Sequence, residues 1–163
     1  MDFEVEHTFS HPVEAVAEAL LDPRFQESLG DIGALESRTL LSQEERADGA
    51  VVRRVRCVLD IDVKGPARKF IGDADPAWVE EAVWDPEASM WRWSIEPEVA
   101  ANLLSARGEI AIEDGGGGSI RRVLGVVKVS VPLYGGKVEG WIVEGIEQAY
   151  DEEAERLERW LGA

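Results

Sequence analysis

The sequence predicts an α+β domain in which seven strands form one antiparallel sheet and a long C-terminal helix packs along it. From about Gly136 to Leu161, apolar residues recur at steps of three and four, the period of an amphipathic helix. Before this segment, stretches of alternating apolar and polar residues are separated by turn signals, as in strands joined by hairpins. Apolar residues make up 45% of the 163 residues, which is enough for one core, so we expect a single domain over 1–163.

The first elements are a strand and two short helices. Every second residue from Phe3 to Phe9, His7 included, falls on one face of the predicted strand, opposite a polar face. Pro12 then suits the first turn of a helix, whose apolar residues continue at helical spacing to Leu21. Pro23 ends this helix and opens a second short one, which is expected to stop near residue 30.

Six further strands are predicted before the long helix. They cover approximately 35–46, 51–64, 78–84, 90–96, 104–112 and 123–131. Gly125 lies in the middle of the last strand, where a glycine predicts a bend or a bulge. The run Gly115–Gly118 is typical of a flexible hairpin loop, and the segment 66–72 of a helical turn or an irregular lid.

Charge and cysteine content exclude several classes of function. The chain has 17 basic and 33 acidic residues, a net charge of −16, which disfavours nucleic acids and anionic membranes as partners. No apolar run is long enough to span a bilayer, and the first residues do not resemble a secretory signal, so a cytoplasmic location is expected. With Cys57 as its only cysteine the chain has no intrachain disulfide and no thiolate-rich zinc site, and we expect neither a metal nor a cofactor.

The order of elements resembles the START-like or Bet v 1-like (SRPBCC) superfamily, which has the helix-grip fold. The segment 9–16, where a strand leads into a helix that begins at a proline, and the terminal helix carry this resemblance. Residues 131–139, VPLYGGKVE, resemble the DUF2505 family. The resemblance implies a curved sheet wrapped around the long helix, with lipids, sterols, polyketides or other apolar molecules bound between them. Some superfamily members are cyclases, aromatases or lyases, but no catalytic residue set can be carried over to this chain.

Eight residues are candidates for lining an apolar cavity between sheet and helix. They are His7, Phe9, Arg53, Cys57, Trp91, Trp93, Trp141 and Gly145. Arg53 interrupts an apolar strand face, so it either reaches solvent at the hairpin end or anchors a ligand carboxylate. His7 is interpreted as a satisfied core or rim histidine, since a catalytic role would need a partner carboxylate and a substrate pocket. Cys57 is interpreted as a small buried hydrophobe, since a nucleophile would need a base or a helix N-terminus nearby to lower its pKa.

Tryptophans and small helix residues bear on whether a cavity exists. Six tryptophans are many for this length, and they suit either the walls of a pocket or a filled core. On the helix, Gly140, Gly145 and Ala149 either leave space for a ligand or allow close packing against the sheet.

Three functions remain open from the sequence. The leading hypothesis is a protein that binds an apolar small molecule. The second is a cyclase-like or lyase-like enzyme, which would need His7 or Arg53 to face the cavity beside a carboxylate or hydroxyl. The third is an interaction domain, monomeric or homodimeric, with an exposed aromatic patch.

Overall fold

A computed structural model describes residues 1–60 and 72–162, and the element order is the one that the sequence predicts. The elements are β1 (Asp2–Phe9), α1 (Val13–Leu21), α2 (Pro23–Glu27), β2 (Leu35–Glu45), β3 (Val51–Leu59), β4 (Ala77–Asp85), β5 (Met90–Pro97), β6 (Leu104–Asp114), β7 (Ser119–Val129) and α3 (Gly135–Gly162). The seven strands form one antiparallel sheet in the order β1-β7-β6-β5-β4-β3-β2, which confirms the predicted α+β fold. The predicted turn or lid at 66–72, except Gly72, and the predicted end of the third strand beyond Asp60 lie outside the described residues.

The two short helices share one aspartate at their junction. Asp22 has an extended backbone (ψ 116°) because Pro23 follows it, and α1 therefore ends at Leu21. The Asp22 carboxylate then accepts a hydrogen bond of 2.9 Å from the backbone N–H of Arg24, which caps the start of α2. One residue thus stops the first helix and starts the second.

The two faces of the sheet differ in composition. On β3, the odd-numbered residues 51–57 are buried, whereas Arg54 and Arg56 between them lie on the outer face. Arg54 pairs with Glu81 at 2.7 Å and Arg56 with Glu98 at 2.7 Å, so ion pairs cross the outer face. Exposed pairs of this kind add little stability, and the apolar inner face, which packs on the helices, holds the fold together.

Helix α3 covers the inner face of the sheet. Its 28 residues give about 42 Å of helix, and it packs against β7, β1 and α1. The residues that it turns toward the sheet form one stripe, namely Val143, Ile146, Tyr150, Ala154, Leu157 and Leu161. Near its end, Trp160 packs edge-on against Phe25 of α2, with ring centres 5.5 Å apart. In the described part of the chain, no helix is both long and apolar enough to cross a membrane.

Of the two alternatives predicted at Gly125, the bulge is wrong and the bend stays a prediction. β7 pairs with β1 and with β6 in continuous register through Gly125, and irregular pairing occurs instead in β2. Gly125 of β7 pairs with Gly108 of β6, and two aromatic rings pack against these glycines. The Phe3 ring occupies the place of a Cβ at Gly125, and a Cβ on Gly108 would lie 2.7 Å from Cζ2 of Trp93. The glycines are therefore required for close packing of rings against the backbone.

Candidate functional site

Two polar clusters interrupt the apolar space between the sheet and the helices. The first, the Arg121 cluster, consists of His7, Arg121, Asp151 and Glu153. The second, the Arg53 cluster, consists of Arg38, Arg53, Glu80 and Trp91. Both lie on the inner face, where burial makes every unpaired polar group costly.

Arg121 joins β7 to α3 through several hydrogen bonds. Its side chain is fully buried and forms an ion pair with Glu153. Its Nη2 donates to the backbone carbonyl of Tyr150 at 3.0 Å and to Nδ1 of His7 at 3.1 Å. The buried charge of Arg121 is therefore compensated within the protein.

The contact with Arg121 fixes the tautomer of His7. A guanidinium can only donate, so Nδ1 of His7 must accept and Nε2 must carry the proton. Nε2 donates to Oδ1 of Asp151 at 2.8 Å. Burial lowers the pKa of His7, although the hydrogen bond to Asp151 acts in the opposite direction. Both ring nitrogens have protein partners, which leaves neither available as a general base.

Arg53 lies inside the protein, and the interpretation that it reaches solvent is wrong. It is 6% exposed, and the centre of its guanidinium lies 4.2 Å from the centre of the Trp91 ring. Its Nη1 donates to the carbonyl of Leu20 at 2.8 Å. Leu20 belongs to the last turn of α1, whose carbonyls have no partner within the helix and attract cations. Burial lowers the pKa of Arg53 to about 10, so it remains charged at pH 7.

Polar side chains around Arg53 fasten the two short helices to β2 and β3. Gln26 donates to the same Leu20 carbonyl at 2.9 Å, and Gln43 donates to the Leu21 carbonyl at 2.6 Å. Arg38 donates to the side-chain and backbone oxygens of Gln26 at 2.8 and 2.9 Å. These contacts are all with neutral oxygens, so the charges of Arg38 and Arg53 are solvated by dipoles and have no ion pair among the described residues.

Glu80 is the candidate counter-ion for Arg38 and Arg53. Arg53 is paired with Ala82 and Val55 with Glu80, so Arg53 and Glu80 are diagonal neighbours on the inner face of β3 and β4. Burial raises the pKa of Glu80, and the neighbouring charges of Arg38 and Arg53 do not fully offset this. Within residues 1–60 and 72–162, no hydrogen bond to its carboxyl group is found.

Tyr150 of α3 connects the two clusters. The Arg121 guanidinium lies 5.4 Å from the centre of its ring, and the charges of Glu80 and Arg53 also act on its phenol. Burial is the main reason that the pKa of Tyr150 lies well above its ordinary value. A neutral phenol, a carboxyl group with a raised pKa and a charged guanidinium therefore meet in one region.

Four of the predicted site residues are buried in this region or beside it. Phe9 lies 5.7 Å from the Arg121 guanidinium, and Trp91 contacts both Arg53 and Trp84. Trp93 lies over Gly108. Cys57 is buried, and burial raises the pKa of its thiol to about 12, which leaves no thiolate nucleophile at neutral pH.

The helix residues of the predicted wall are not brought together with those tryptophans. Trp141 is 55% exposed and carries the Lys137 ammonium 5.3 Å from the centre of its ring. A Cβ at Gly145 would meet nothing within 4 Å, whereas a Cβ at Gly33 would lie 3.1 Å from that of Ala149. Ala149 therefore serves close packing, and a cavity-lining role for Trp141 and Gly145 stays a prediction.

Sequence reasoning missed Glu80 and Arg121. The adjacent pair Glu80-Glu81 attracts attention only as a possible acid/base dyad, which opposite orientations rule out. Glu80 lies two residues from Trp78 and four from Trp84 along the strand, so all three side chains share the inner face. This spacing could have identified Glu80 from the sequence. Among the described residues, no cluster of histidine, cysteine or acidic side chains could hold a metal ion.

An open depression lies on the other side of the sheet. Its volume is about 690 Å³, and charged side chains including Glu81, Arg92 and Glu109 surround it. Trp93 and Phe3 form part of its floor beside the two glycines. It is separate from the polar clusters of the inner face.

Comparisons with solved structures give the same fold. The protein TTHA0849 from Thermus thermophilus is 20% identical with a TM-score of 0.69, covering 96% of this chain and 97% of that one. Norcoclaurine synthase from Thalictrum flavum is 15% identical with a TM-score of 0.69, covering 100% and 96%. The Zhui aromatase/cyclase from a Streptomyces species is 14% identical with a TM-score of 0.64, covering 99% and 93%. These similarities establish the Bet v 1-like helix-grip fold, as the sequence predicted.

Comparison at the level of sequence identifies the family. No curated protein matches the chain. The model of the family described as "Protein of unknown function (DUF2505)" matches residues 4–161, which is nearly the entire length. The chain therefore belongs to the DUF2505 family, within the Bet v 1-like fold.

Proposed function

We propose that this protein binds a small molecule with an apolar body between the inner face of the sheet and α3. The observation that carries the proposal is Arg53, a buried cation stacked on Trp91 whose Nε has no hydrogen-bond partner among the described residues. The indole N–H groups of Trp91 and Trp93 also lack acceptors there. A buried donor without an acceptor costs about 1–3 kcal/mol, and acceptors on a bound molecule would offset that cost.

The fold supports the same proposal. The similar structures include an aromatase/cyclase and a norcoclaurine synthase in complex with a transition state analogue. In the described part of the chain, α3 packs mainly on β7, β1 and α1, and a space between the helix and the remaining strands would suit a ligand. The buried tryptophans of β4 and β5 supply the aromatic wall that such a molecule would contact.

Native mass spectrometry tests this proposal directly. We expect protein purified from its own host under non-denaturing conditions to carry extra mass that disappears on denaturation. Extraction would then give the bound molecule for identification. An apo mass only, together with no calorimetric signal for any of a panel of aromatic and aliphatic small molecules, would contradict the proposal.

A second candidate is proton-transfer catalysis on the bound molecule. The observation that favours it is Glu80, because a carboxyl group whose pKa is raised by burial is better suited to act as a general acid than an ordinary one. Turnover of an identified ligand by the wild-type protein, lost in Glu80→Gln, is the expected result. If the ligand is unchanged after prolonged incubation, catalysis is contradicted and binding remains as the only proposed function.

A further inference from the structure

We propose that the ligand of the inner face is a carboxylic acid with an apolar body, bound as its anion to Arg53 between Trp91 and Glu80. This inference rests on the proposed function and adds the chemical class of the ligand. It starts from the balance of charge on the inner face, which differs from that of the whole chain.

Three described arginines extend from the inner face, and only one has a carboxylate partner there. Arg121 is paired with Glu153. Arg38 and Arg53 contact only neutral oxygens. In a chain of net charge −16, an unpaired buried guanidinium is unexpected, because acidic residues are abundant and an isolated buried charge is costly. An anion from outside the chain would complete the pair.

Glu80 does not fill that role. It lies on the adjoining strand, but no ion pair within 4.0 Å joins it to Arg38 or Arg53 in the described part of the chain. Burial also favours its neutral form by raising its pKa. In its neutral form, a carboxyl group next to a guanidinium has an O–H to donate and does not repel an incoming anion.

The orientation of Arg53 leaves one edge of its guanidinium, the edge that recognises carboxylates, without partners in the described part of the chain. The guanidinium is held in place because its central carbon lies over the Trp91 ring, 4.2 Å from the ring centre, and its Nη1 donates to the Leu20 carbonyl. Nε has no acceptor, and no hydrogen bond of Nη2 is found among residues 1–60 and 72–162. Nε and Nη2 form the edge of the guanidinium that binds a carboxylate through two parallel hydrogen bonds.

The surroundings specify the rest of the ligand. Trp84, Trp91 and Trp93 are all at least nine-tenths buried and lie side by side on β4 and β5. These rings suit an apolar body that continues from the acidic group. An ammonium compound is disfavoured by the charges of Arg38 and Arg53, and an alcohol gains only one hydrogen bond at the Arg53 edge.

Isothermal titration calorimetry with ligands of matched shape tests the class. The probes are 2-naphthoate, 2-naphthalenemethanol and 2-naphthylmethylammonium, and the corresponding decanoate, decanol and decylammonium. For the body that binds, we expect the acid to bind at least about tenfold more tightly than the alcohol, and the ammonium compound most weakly. Equal affinity of acid and alcohol would overturn the inference while the proposed function stands. Absence of binding by all six probes would instead count against the proposed function.

Two adjacent arginines provide a matched pair of variants. Arg53→Met removes the inner guanidinium, and Arg54→Met removes its neighbour on the outer face. We expect only Arg53→Met to abolish the preference for the acid. A preference that survives in Arg53→Met, or that is lost equally in Arg54→Met, would overturn the assignment to Arg53. The wild-type titrations decide the ligand class even if Arg53→Met does not fold.

Discussion

The two polar clusters of the inner face solve the same physical problem in different ways. In the Arg121 cluster, a fully buried guanidinium has a carboxylate, a carbonyl and an imidazole as partners. In the Arg53 cluster, a guanidinium of similar burial has one carbonyl, one aromatic face and an unused edge. The Nε of each arginine lacks a hydrogen-bond partner among the described residues, but only the charge of Arg121 is balanced by a carboxylate in its cluster.

This difference assigns a stabilising role to the Arg121 cluster and is consistent with the binding role proposed for the Arg53 cluster. A closed network such as that of Arg121 fixes β1, β7 and α3 relative to one another, and any change in it should appear mainly as lost stability. In an open network such as that of Arg53, unpaired donors carry a free-energy cost, which a ligand would offset under the proposed function. Substitutions in the two clusters should therefore have opposite signatures.

The largest effect is expected from Arg121→Met. Removing this guanidinium leaves Glu153 as a half-buried carboxylate without its partner, which should lower the free energy of unfolding by about 3–5 kcal/mol. Urea denaturation followed by far-UV circular dichroism measures the loss. The neighbouring Arg122→Met, on the outer face, is the control and should cost about 1 kcal/mol or less. Equal losses in the two variants would show that the Arg121 cluster has no special structural role.

A smaller effect of opposite sign is expected from Glu80→Gln. The pKa of Glu80 is raised in the folded protein, so its contribution to stability is full below the ordinary value of 4.5 and is lost as the pH rises through the folded pKa. Glutamine cannot ionise, so the variant should be more stable than the wild type at pH 8 and similar at pH 4. Thermal unfolding across this range measures the difference, with Glu81→Gln on the outer face as the control. A variant that is destabilised at pH 8 would indicate that Glu80 is ionised and paired there.

The smallest effect is expected from His7. Its folded pKa is lowered from 6.5, so the unfolded chain binds the proton more readily, and stability declines as the pH falls below 6.5 through the folded pKa. His7→Gln should remove this part of the acid sensitivity. The effect is modest because burial and the hydrogen bond from His7 to Asp151 shift the pKa in opposite directions. Comparing chemical denaturation of wild type and variant at pH 5 and pH 7.5 is the measurement, and identical pH dependence would contradict the lowered pKa of His7.

The sequence predicts the elements well because their patterns are local. The period of α3, the turn signals of the hairpins and the inward parity of Trp91 and Trp93 are all readable within windows of a few residues. Arg121 was not predicted to lie on the inner face, because the predicted seventh strand begins at 123, two residues after it. In the structure, β7 begins at Ser119. Its pairing with His7 spans 114 positions of sequence, and no local pattern indicates that register.

From the sequence, the Arg53 side chain could only be predicted either to reach solvent or to anchor a ligand carboxylate. Strand parity places it on the apolar face, but whether it curls to solvent depends on what covers that end of the sheet. The cover is α1, whose last carbonyls attract the guanidinium. That contact joins two elements that meet only in the folded chain, and single-strand patterns do not contain it.

The glycine row of β6 and β7 implies a rule for how related sequences diverge. Gly108 and Gly125 leave the space that the rings of Trp93 and Phe3 occupy, and these rings lie 6.3 Å apart. A side chain at Gly125 would require a smaller residue at position 3, whereas one at Gly108 would also collide with the backbone oxygen of Leu124. In an alignment of family members, positions 3 and 125 should therefore covary, and position 108 should stay glycine. Departures from that covariation would identify relatives in which this wall of the sheet is packed differently.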